Sequence, residues 1–114
     1  MHEISLVQGL FTQLHSLAQE HRKSRVLTVT MEIGPLSGVV IDSFQFGFDV
    51  LSADDKLIRG AQLLVICPPA TYRCCGCNAT TEAEVRPEAC PRCGETLLSP
   101  EGGDDLILQQ VEME

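Results

Sequence analysis

Two Cys-x-x-Cys pairs constrain the fold of this chain more than any other feature of its sequence. Cys74 and Cys77 form the first pair, and Cys90 and Cys93 form the second after twelve intervening residues. Each pair can hold one edge of a tetrahedral ion, and four thiolates leave no position open for water or substrate. The spacing therefore predicts a Zn(II) site with a structural role.

The segment that holds these pairs has too little apolar material to fold unaided. Apart from the cysteines, the apolar side chains of residues 74–93 are Ala79, Ala83, Val85 and Ala89. So small a core does not offset the conformational entropy that is lost when the segment becomes ordered. We therefore expect this module to be folded with its metal and unfolded without it.

The two other cysteines and the choice of metal leave alternatives open. Cys75 directly follows Cys74, but a pairing of Cys75 with Cys77 would leave one residue between them and make a poorer metal knuckle. Cys67 ends an apolar run and is expected to be a small buried side chain. Iron also occupies tetrahedral four-thiolate sites, and visible absorbance distinguishes it from zinc.

The charge of the chain argues against a nucleic-acid partner. There are 8 Lys and Arg residues against 16 Asp and Glu, which gives a formal net charge of −8. Binding to a phosphate backbone depends instead on clustered basic side chains. A zinc ribbon that binds nucleic acid is therefore disfavoured.

The sequence also predicts an intracellular, cytoplasmic protein with no membrane partner. The longest apolar run, residues 63–67, is far shorter than the about 20 residues that cross a bilayer. The N-terminus lacks the basic and then apolar pattern of a secretory signal. Two close cysteine pairs fit a reducing compartment, where metal binding is favoured over disulfides.

Hydrophobic periodicity predicts a helix and then a strand in the first third of the chain. Residues 3–22 carry apolar side chains at the three-and-four spacing of an amphipathic helix. Residues 25–33 alternate until Gly34-Pro35, which predicts a strand with one apolar face. That face consists of Leu27, Val29, Met31 and Ile33.

Residues 42–51 fit two patterns. Phe44, Phe46 and Phe48 alternate as in a strand, while Phe44, Phe48 and Leu51 also follow helical spacing. A capping residue at Asp42 or Ser43 and a position between two predicted strands favour a crossover helix.

The second half completes an α+β prediction. Residues 61–67 predict a buried strand ended by Pro68-Pro69, and residues 106–113 predict a last strand. The expected architecture is a small mixed sheet packed by two helices, formed by residues 1–69 and 105–114. A zinc-ribbon-like module of residues 70–104 is inserted between two of its strands.

The N-terminal residues Met1-His2-Glu3 suggest a second metal. A histidine at position 2 brings its imidazole within chelating reach of the amine of Met1 and of its own amide nitrogen. Three nitrogens in one plane suit nickel(II) or copper(II) better than zinc. Glu3 could add an oxygen or favour the positive end of the helix dipole.

Three features together carry a resemblance to a known family. The chain opens Met-His-Glu-Ile-Ser-Leu, continues with residues 33–39, Ile-Gly-Pro-Leu-Ser-Gly-Val, after its first strand, and then has the two cysteine pairs. In this it resembles the HypA/HybF family of hydrogenase maturation factors over nearly its whole length. The additional Cys75 departs from the family pattern.

The resemblance implies a nickel metallochaperone that is not itself an enzyme. Its cargo would be Ni(II), held by His2, Met1 and Glu3, while Zn(II) would be held by the four paired cysteines. Its partners would be the GTPase HypB and the large subunit of NiFe hydrogenase, and in some organisms urease accessory proteins. The protein would be a monomer or a homodimer, and His15 and His21 lie too far along the first helix to join the nickel.

Two alternatives from other classes share parts of this pattern. A zinc-stabilised adaptor that binds only other proteins would have the same cysteine module. A rubredoxin-like electron carrier would also have it, but such a protein requires iron and has no use for the N-terminal triplet. Nickel titration against His2→Ala separates the adaptor from the chaperone.

Overall fold

Residues 2–114, the part of the chain that the computed structural model describes, contain two helices and six strands. The elements are α1 His2–His21, β1 Val26–Ile33, α2 Ile41–Ser52, β2 Gln62–Ile66, β3 Ala70–Cys74, β4 Thr80–Ala83, β5 Leu98–Glu101 and β6 Leu106–Met113. The α+β class is confirmed. Among residues 2–114, no helix combines the length and the apolar character needed to cross a membrane.

The described chain divides into two units. The helical unit contains the described residues up to Glu32, together with Val39–Ile66 and Ile107–Glu114. The cysteine unit contains Ile33–Gly38 and Cys67–Leu106. Residues 33–38, which the sequence analysis places in the first domain, thus group with the cysteines, and the predicted domain boundaries stay a prediction.

The helical unit contains a three-stranded mixed sheet with the order β2-β1-β6. Strands β1 and β2 are parallel, with Val29 opposite Leu63 and Met31 opposite Val65. A parallel pair needs a crossover connection, and α2 provides it between the two strands. At the other edge of β1, Arg25 and Glu114 exchange two backbone hydrogen bonds of 3.1 and 2.9 Å, as in an antiparallel pair.

Both predicted helices are confirmed, and burial explains why residues 41–52 are not a strand. Phe44 and Phe48 are fully buried, whereas Phe46 between them is 68% exposed. A strand would have placed all three rings on one face. The Phe48 ring meets Phe11 of α1 edge to face, with ring centroids 5.5 Å apart.

Two predictions about strand burial are wrong. Leu63 of β2 is buried, but Leu64 and Ile66 are 42% and 44% exposed. The reason is that β2 is an edge strand and side chains alternate between faces, so that only the face shared by Leu63 and Val29 is covered. In β1, Val26 is buried and Leu27 is 36% exposed. These two residues precede the pairing with β2, which begins at Thr28, and Val26 N–H donates instead to the Leu57 carbonyl at 2.8 Å.

The cysteine unit contains a second sheet, antiparallel, with the order β4-β3-β5. The sequence analysis assigned no strands to residues 71–98, since these strands have only four or five residues and little apolar alternation. The core of this sheet is the cluster Ala70, Tyr72, Cys74, Cys90 and Leu98. Two of its five members are therefore predicted metal ligands.

The Gly34-Pro35 break is explained by a close approach of two backbones within the cysteine unit. A Cβ at Gly34 would lie 2.2 Å from the carbonyl oxygen of Gly103. Backbone hydrogen bonds join the same segments: Gly34 N–H donates to Asp105 at 2.8 Å, and Leu36 N–H donates to Gly103 at 2.6 Å. Gly103 has φ +81, a left-handed conformation that favours glycine.

Candidate metal centre

The four paired cysteines form one cluster, with a sulfur from each within 4.8 Å of the others. The Cys74 and Cys93 sulfurs are 3.5 Å apart, and those of Cys77 and Cys90 are 3.7 Å apart. Four sulfurs that each lie about 2.3 Å from a tetrahedral zinc ion are about 3.8 Å from one another. Both the spacing and the donor atoms therefore fit zinc.

The two cysteine pairs lie on turns with the same hydrogen bonds. Cys74 N–H donates to the Ala79 carbonyl at 2.8 Å, and the Cys74 carbonyl accepts from Asn78 N–H at 3.0 Å. Cys90 repeats both bonds at the same offsets, with Glu95 at 2.7 Å and Gly94 at 2.9 Å. The chain thus presents each pair of sulfurs from an equivalent turn.

Each turn closes with a residue in the left-handed conformation immediately after the second cysteine. These residues are Asn78, with φ 67, and Gly94, with φ 80. Glycine and asparagine are the residues that adopt this conformation most readily. The sequence analysis did not single out either residue, although a Gly or Asn directly after each Cys-x-x-Cys pair is visible in the sequence.

Backbone N–H groups favour the thiolate form of the first cysteine of each pair. The Cys74 sulfur accepts hydrogen bonds from the N–H groups of Cys77 and Gly76 at 3.4 and 3.3 Å, and these bonds lower its pKa. For Cys90, the N–H groups of Cys93 and Arg92 lower the pKa to about 6. Thiolates are the form that binds metal.

Cys93 shows the opposite tendency. The backbone N–H of Glu95 acts to lower its pKa, but the neighbouring Cys74 sulfur, burial and the other two sulfurs together raise the pKa to about 12. Four negative sulfurs at this separation repel one another, so the last thiol retains its proton unless a cation compensates the charge. A bound dication would allow all four to be thiolates.

Two arginines of the cysteine unit make contacts around the sheet that holds Cys74. Arg73 on β3 pairs with Glu101 on β5 and donates to the Asn78 carbonyl at 3.3 Å. The guanidinium of Arg86 lies 5.7 Å from the centroid of the Tyr72 ring and donates to the Leu98 carbonyl. The contacts of Arg73 with Glu101 and of Arg86 with Leu98 join segments 28 and 12 residues apart, which is why periodicity gave no signal for them.

The other two cysteines stay outside this cluster. Cys75 is exposed, and its N–H donates to the Leu97 carbonyl at 3.0 Å. The four-sulfur group contains Cys74, and not Cys75, together with Cys77, in agreement with the pairing that the sequence analysis preferred. Cys67 is also exposed, so its predicted burial is wrong: β2 ends at Ile66, and Cys67 lies beyond the strand, before Pro68.

Of the three residues expected to bind nickel, the structure describes the side chain of one. Met1 lies outside the described residues, and so does the side chain of His2, whose backbone begins α1. Glu3 is 8% exposed. Its Oε2 accepts a hydrogen bond from the backbone N–H of Val40 at 3.3 Å.

The two other histidines have separate surroundings. His15 Nε2 lies 2.7 Å from Asp55 Oδ2, and the Asp55 carboxylate also accepts the Leu57 N–H at 2.9 Å. His21 is the exposed last residue of α1. Among the described residues, the four cysteines form the group of potential ligands that could hold a metal.

Comparisons with known proteins give a consistent answer for the whole chain. Residues 1–113 match the family described as "Hydrogenase/urease nickel incorporation, metallochaperone, hypA". The hydrogenase maturation factor HypA of Alkalilimnicola ehrlichii is 40% identical over 114 residues, which are 100% of both chains. The factor of the same name from Azotobacter chroococcum is 37% identical, again over 100% of both.

Solved structures agree on the fold. The solution structure of the Ni metallochaperone HypA from Helicobacter pylori is 19% identical, with a TM-score of 0.67 over 97% of this chain and 96% of that one. A further solution structure of a HypA protein is 20% identical, with a TM-score of 0.70 over 100% of this chain and 97% of the other. At these identities the likeness supports the fold alone.

Proposed function

Because the chain belongs to the HypA family of hydrogenase and urease nickel incorporation metallochaperones, we propose that it carries Ni(II) at its first residues and delivers it during hydrogenase maturation. The observation that carries this proposal is the extent of the family match, residues 1–113. It covers both the N-terminal triplet and all four clustered cysteines. The protein acts as a carrier and not as an enzyme.

Nickel is held by the amine of Met1 and by the amide and imidazole nitrogens of His2. Such a nitrogen-rich plane suits Ni(II), and ligands at the start of the chain can exchange, as delivery requires. The imidazole binds in its neutral form, so affinity falls as the pH drops through about 6 to 7, where free histidine titrates. Acid therefore promotes release of the cargo.

Zinc is held by Cys74, Cys77, Cys90 and Cys93, whose sulfurs lie within 4.8 Å of one another. When bound, it supplies two positive charges and four coordinate bonds, and its role is structural. The chain supplies the backbone N–H groups that stabilise the thiolates. It also supplies two matched turns that fix the sulfur positions.

We infer the partners from the resemblance to the family. We place the protein in the cytoplasm, as a monomer or homodimer, with the GTPase HypB and the large subunit of NiFe hydrogenase as its partners. Urease accessory proteins are a further group of partners, since the family description includes urease.

Calorimetric titration of untagged, zinc-loaded protein with Ni(II) tests this proposal. We expect one high-affinity site that is lost in His2→Ala and in a chain extended by one residue before Met1. His21→Ala is the matched control, because His21 is exposed at the opposite end of the same helix. Unchanged nickel binding in His2→Ala would exclude the proposed site.

One observation favours a second candidate, a zinc-stabilised protein adaptor. Phe46 and Val50 are 68% and 49% exposed and lie four residues apart on α2, so they share one face of the helix, and a contiguous exposed apolar patch indicates a protein contact. The same titration separates the candidates, because an adaptor would show no nickel site that depends on His2.

A further inference from the structure

Glu3 has an unusual position for a residue expected to bind an exchangeable metal. It lies in the first turn of α1 and is 8% exposed. Its carboxylate accepts the N–H of Val40, a residue 37 positions later in the chain. The carboxylate is thus already used in a contact between two parts of the helical unit.

Val40 is the N-cap residue of α2, and α2 lacks a local cap. Its backbone is extended, with φ −83 and ψ 108, and it provides no side-chain capping hydrogen bond. Its carbonyl accepts the first helical bond, from Phe44 N–H at 3.0 Å. In a capping box, a Glu or Gln at the third helical position accepts the N–H of the N-cap residue.

In α2 the third helical position is occupied by Ser43, whose side chain is too short to reach back as a glutamate does. Glu3 takes this role from a different helix. The carboxylate also lies at the end of α2 where the helix dipole favours negative charge. The polar contact therefore joins the first turn of α1 to Val40, the N-cap residue that precedes α2.

Apolar packing fixes the same two helices immediately beside this contact. A Cβ at Gly47 of α2 would lie 3.0 Å from Ile4 Cδ1 and 3.4 Å from Val7 Cγ2. The absence of a side chain at Gly47 thus allows α1 to approach closely from residue 4 onward. Residues 3 and 4 are held on α2 by one polar and one apolar contact.

We propose that Glu3 is a positioning residue and not itself a nickel ligand. Its contact with Val40 fixes the chain at the N-terminus of α2, directly after the two residues, Met1 and His2, that bind nickel. This inference rests on the proposed function, since the chelate consists of Met1 and His2. If Glu3 turned toward the metal, the Val40 N–H would lose its partner in a partly buried position, which is unfavourable. Anchoring residue 3 reduces the conformational freedom that the preceding residues lose when they close on nickel.

Two substitutions at Glu3 separate positioning from ligation. In Glu3→Gln the amide oxygen can still accept the Val40 N–H, but a neutral amide is a weaker metal ligand than a carboxylate. In Glu3→Ala both functions are lost. Glu20→Ala is the matched control, because Glu20 is an exposed glutamate near the other end of α1.

We expect Glu3→Gln to bind Ni(II) within about threefold of wild type and Glu3→Ala to bind about 10- to 100-fold more weakly, the usual range when a residue that orients a ligand is removed. The nickel X-ray absorption spectrum of Glu3→Ala at saturating nickel should equal that of wild type. If Glu3→Gln loses as much affinity as Glu3→Ala and its spectrum changes, Glu3 is a ligand and the proposal is overturned. Wild-type affinity in both variants also overturns it.

Hydrogen exchange of the Val40 amide in nickel-free protein tests the anchor independently of the cargo. Exchange should be faster in Glu3→Ala than in wild type, and unchanged in Glu3→Gln and Glu20→Ala. Equal exchange in all four proteins would overturn the anchor even where nickel binding holds. Conversely, wild-type protein could fail to bind Ni(II) while Val40 exchange is still faster in Glu3→Ala alone. That result would refute the proposed function but would establish the contact between Glu3 and Val40.

Discussion

The two units bury different kinds of side chain. In the helical unit the fully buried residues are aliphatic and aromatic, among them Val7, Leu14, Phe44 and Phe48. In the cysteine unit the core cluster has five members, of which two, Cys74 and Cys90, belong to the four-sulfur group. The first unit can therefore be stabilised by hydrocarbon burial, whereas we expect the second to depend on a metal ion bound by its four sulfurs.

This difference separates the roles of the two expected metals. A saturated four-thiolate zinc site substitutes for a missing apolar core and has no free position for exchange. The proposed nickel site, at the first residues of α1, lies in the unit that we expect to be stable without a metal. Cargo can then be gained and lost without unfolding the unit that carries it.

Removal of zinc should produce the largest effect and should be confined to one unit. Structural zinc supplies about 10–16 kcal/mol in zinc-finger peptides, which is comparable to the about 5–15 kcal/mol by which whole domains are stable. We expect chelation to abolish amide hydrogen-exchange protection in β3, β4 and β5 while α1 and β1 stay protected. Nuclear magnetic resonance exchange measurements resolve the two units in one sample.

Two serine variants provide the control for that experiment. Cys90→Ser should reproduce the effect of the chelator, because Cys90 is buried in the cluster. Cys75→Ser should leave both zinc content and protection unchanged, because Cys75 is exposed and outside the four-sulfur group. Persistent protection of the Tyr72 amide after complete zinc removal would show that the cysteine unit folds without metal.

Truncation of the helical core should give the reverse pattern. Phe48 is fully buried and meets Phe11 edge to face, so Phe48→Ala should destabilise the helical unit by about 3–5 kcal/mol. Zinc should stay at one per chain by elemental analysis. Urea unfolding followed by the helical circular dichroism signal gives the stability change.

Phe46→Ala is the matched control for Phe48→Ala. Its ring is 68% exposed on the same helix, and surface substitutions of this kind are usually within about 0.5 kcal/mol of wild type. If Phe48→Ala releases zinc together with the helical signal, the two units unfold as one and the comparison between them fails.

The close approach of the Gly34 and Gly103 backbones allows a third test, in the cysteine unit, with a smaller expected change in stability. In Gly34→Ala the new Cβ would lie 2.2 Å from the Gly103 carbonyl oxygen, so the two backbone segments must separate. We expect a loss of about 1–3 kcal/mol, as for other overpacking substitutions. Denaturant unfolding of zinc-loaded protein, followed by the fluorescence of Tyr72 in the same unit, measures it.

Gly9→Ala is the control for Gly34→Ala because a Cβ at Gly9 has no neighbour within 4 Å. Gly9 lies inside α1, where alanine is favoured over glycine by about 0.5–1 kcal/mol. The two substitutions should thus change stability in opposite directions, with Gly9→Ala followed by the helical circular dichroism signal of its own unit. A Gly34→Ala protein as stable as wild type would contradict the close approach of residues 34 and 103.

The predictions from sequence succeeded where the physical cause is local or periodic. The helical spacing of residues 3–22 and the choice of a helix for residues 42–51 are both confirmed by α1 and α2. The cysteine spacing identified the four residues whose sulfurs come together. In each case a repeat along the chain corresponds directly to a shared face or a shared ligand.

The predictions failed where burial depends on a neighbouring strand or its absence. An apolar run does not reveal that β2 is an edge strand, and Leu64, Ile66 and Cys67 are accordingly exposed. Contacts between distant residues were also invisible, such as Glu3 with Val40 and Arg73 with Glu101. These contacts depend on the assembled fold and leave no periodic pattern in the sequence.

The ion pair of Arg73 and Glu101 is expected to have the smallest effect on stability. Its pH dependence tests whether acid acts on the cysteine unit through the metal site or through this ion pair. The hydrogen bond and the charge of Arg73 lower the pKa of Glu101. A carboxylate whose pKa is lower in the folded state stabilises the protein fully above its unfolded pKa, about 4.3 for glutamate, and loses this contribution only as the pH falls through the folded value.

The cysteine sulfurs should respond to acid first. Protons compete with metal for thiolates, so zinc is lost as the pH falls, before Glu101 is protonated. The difference in thermal midpoint between wild type and Glu101→Gln should therefore be small and constant from pH 7 down to the pH of zinc release, with Glu82→Gln on β4 as the control. A difference that shrinks within that range would contradict the lowered pKa of Glu101.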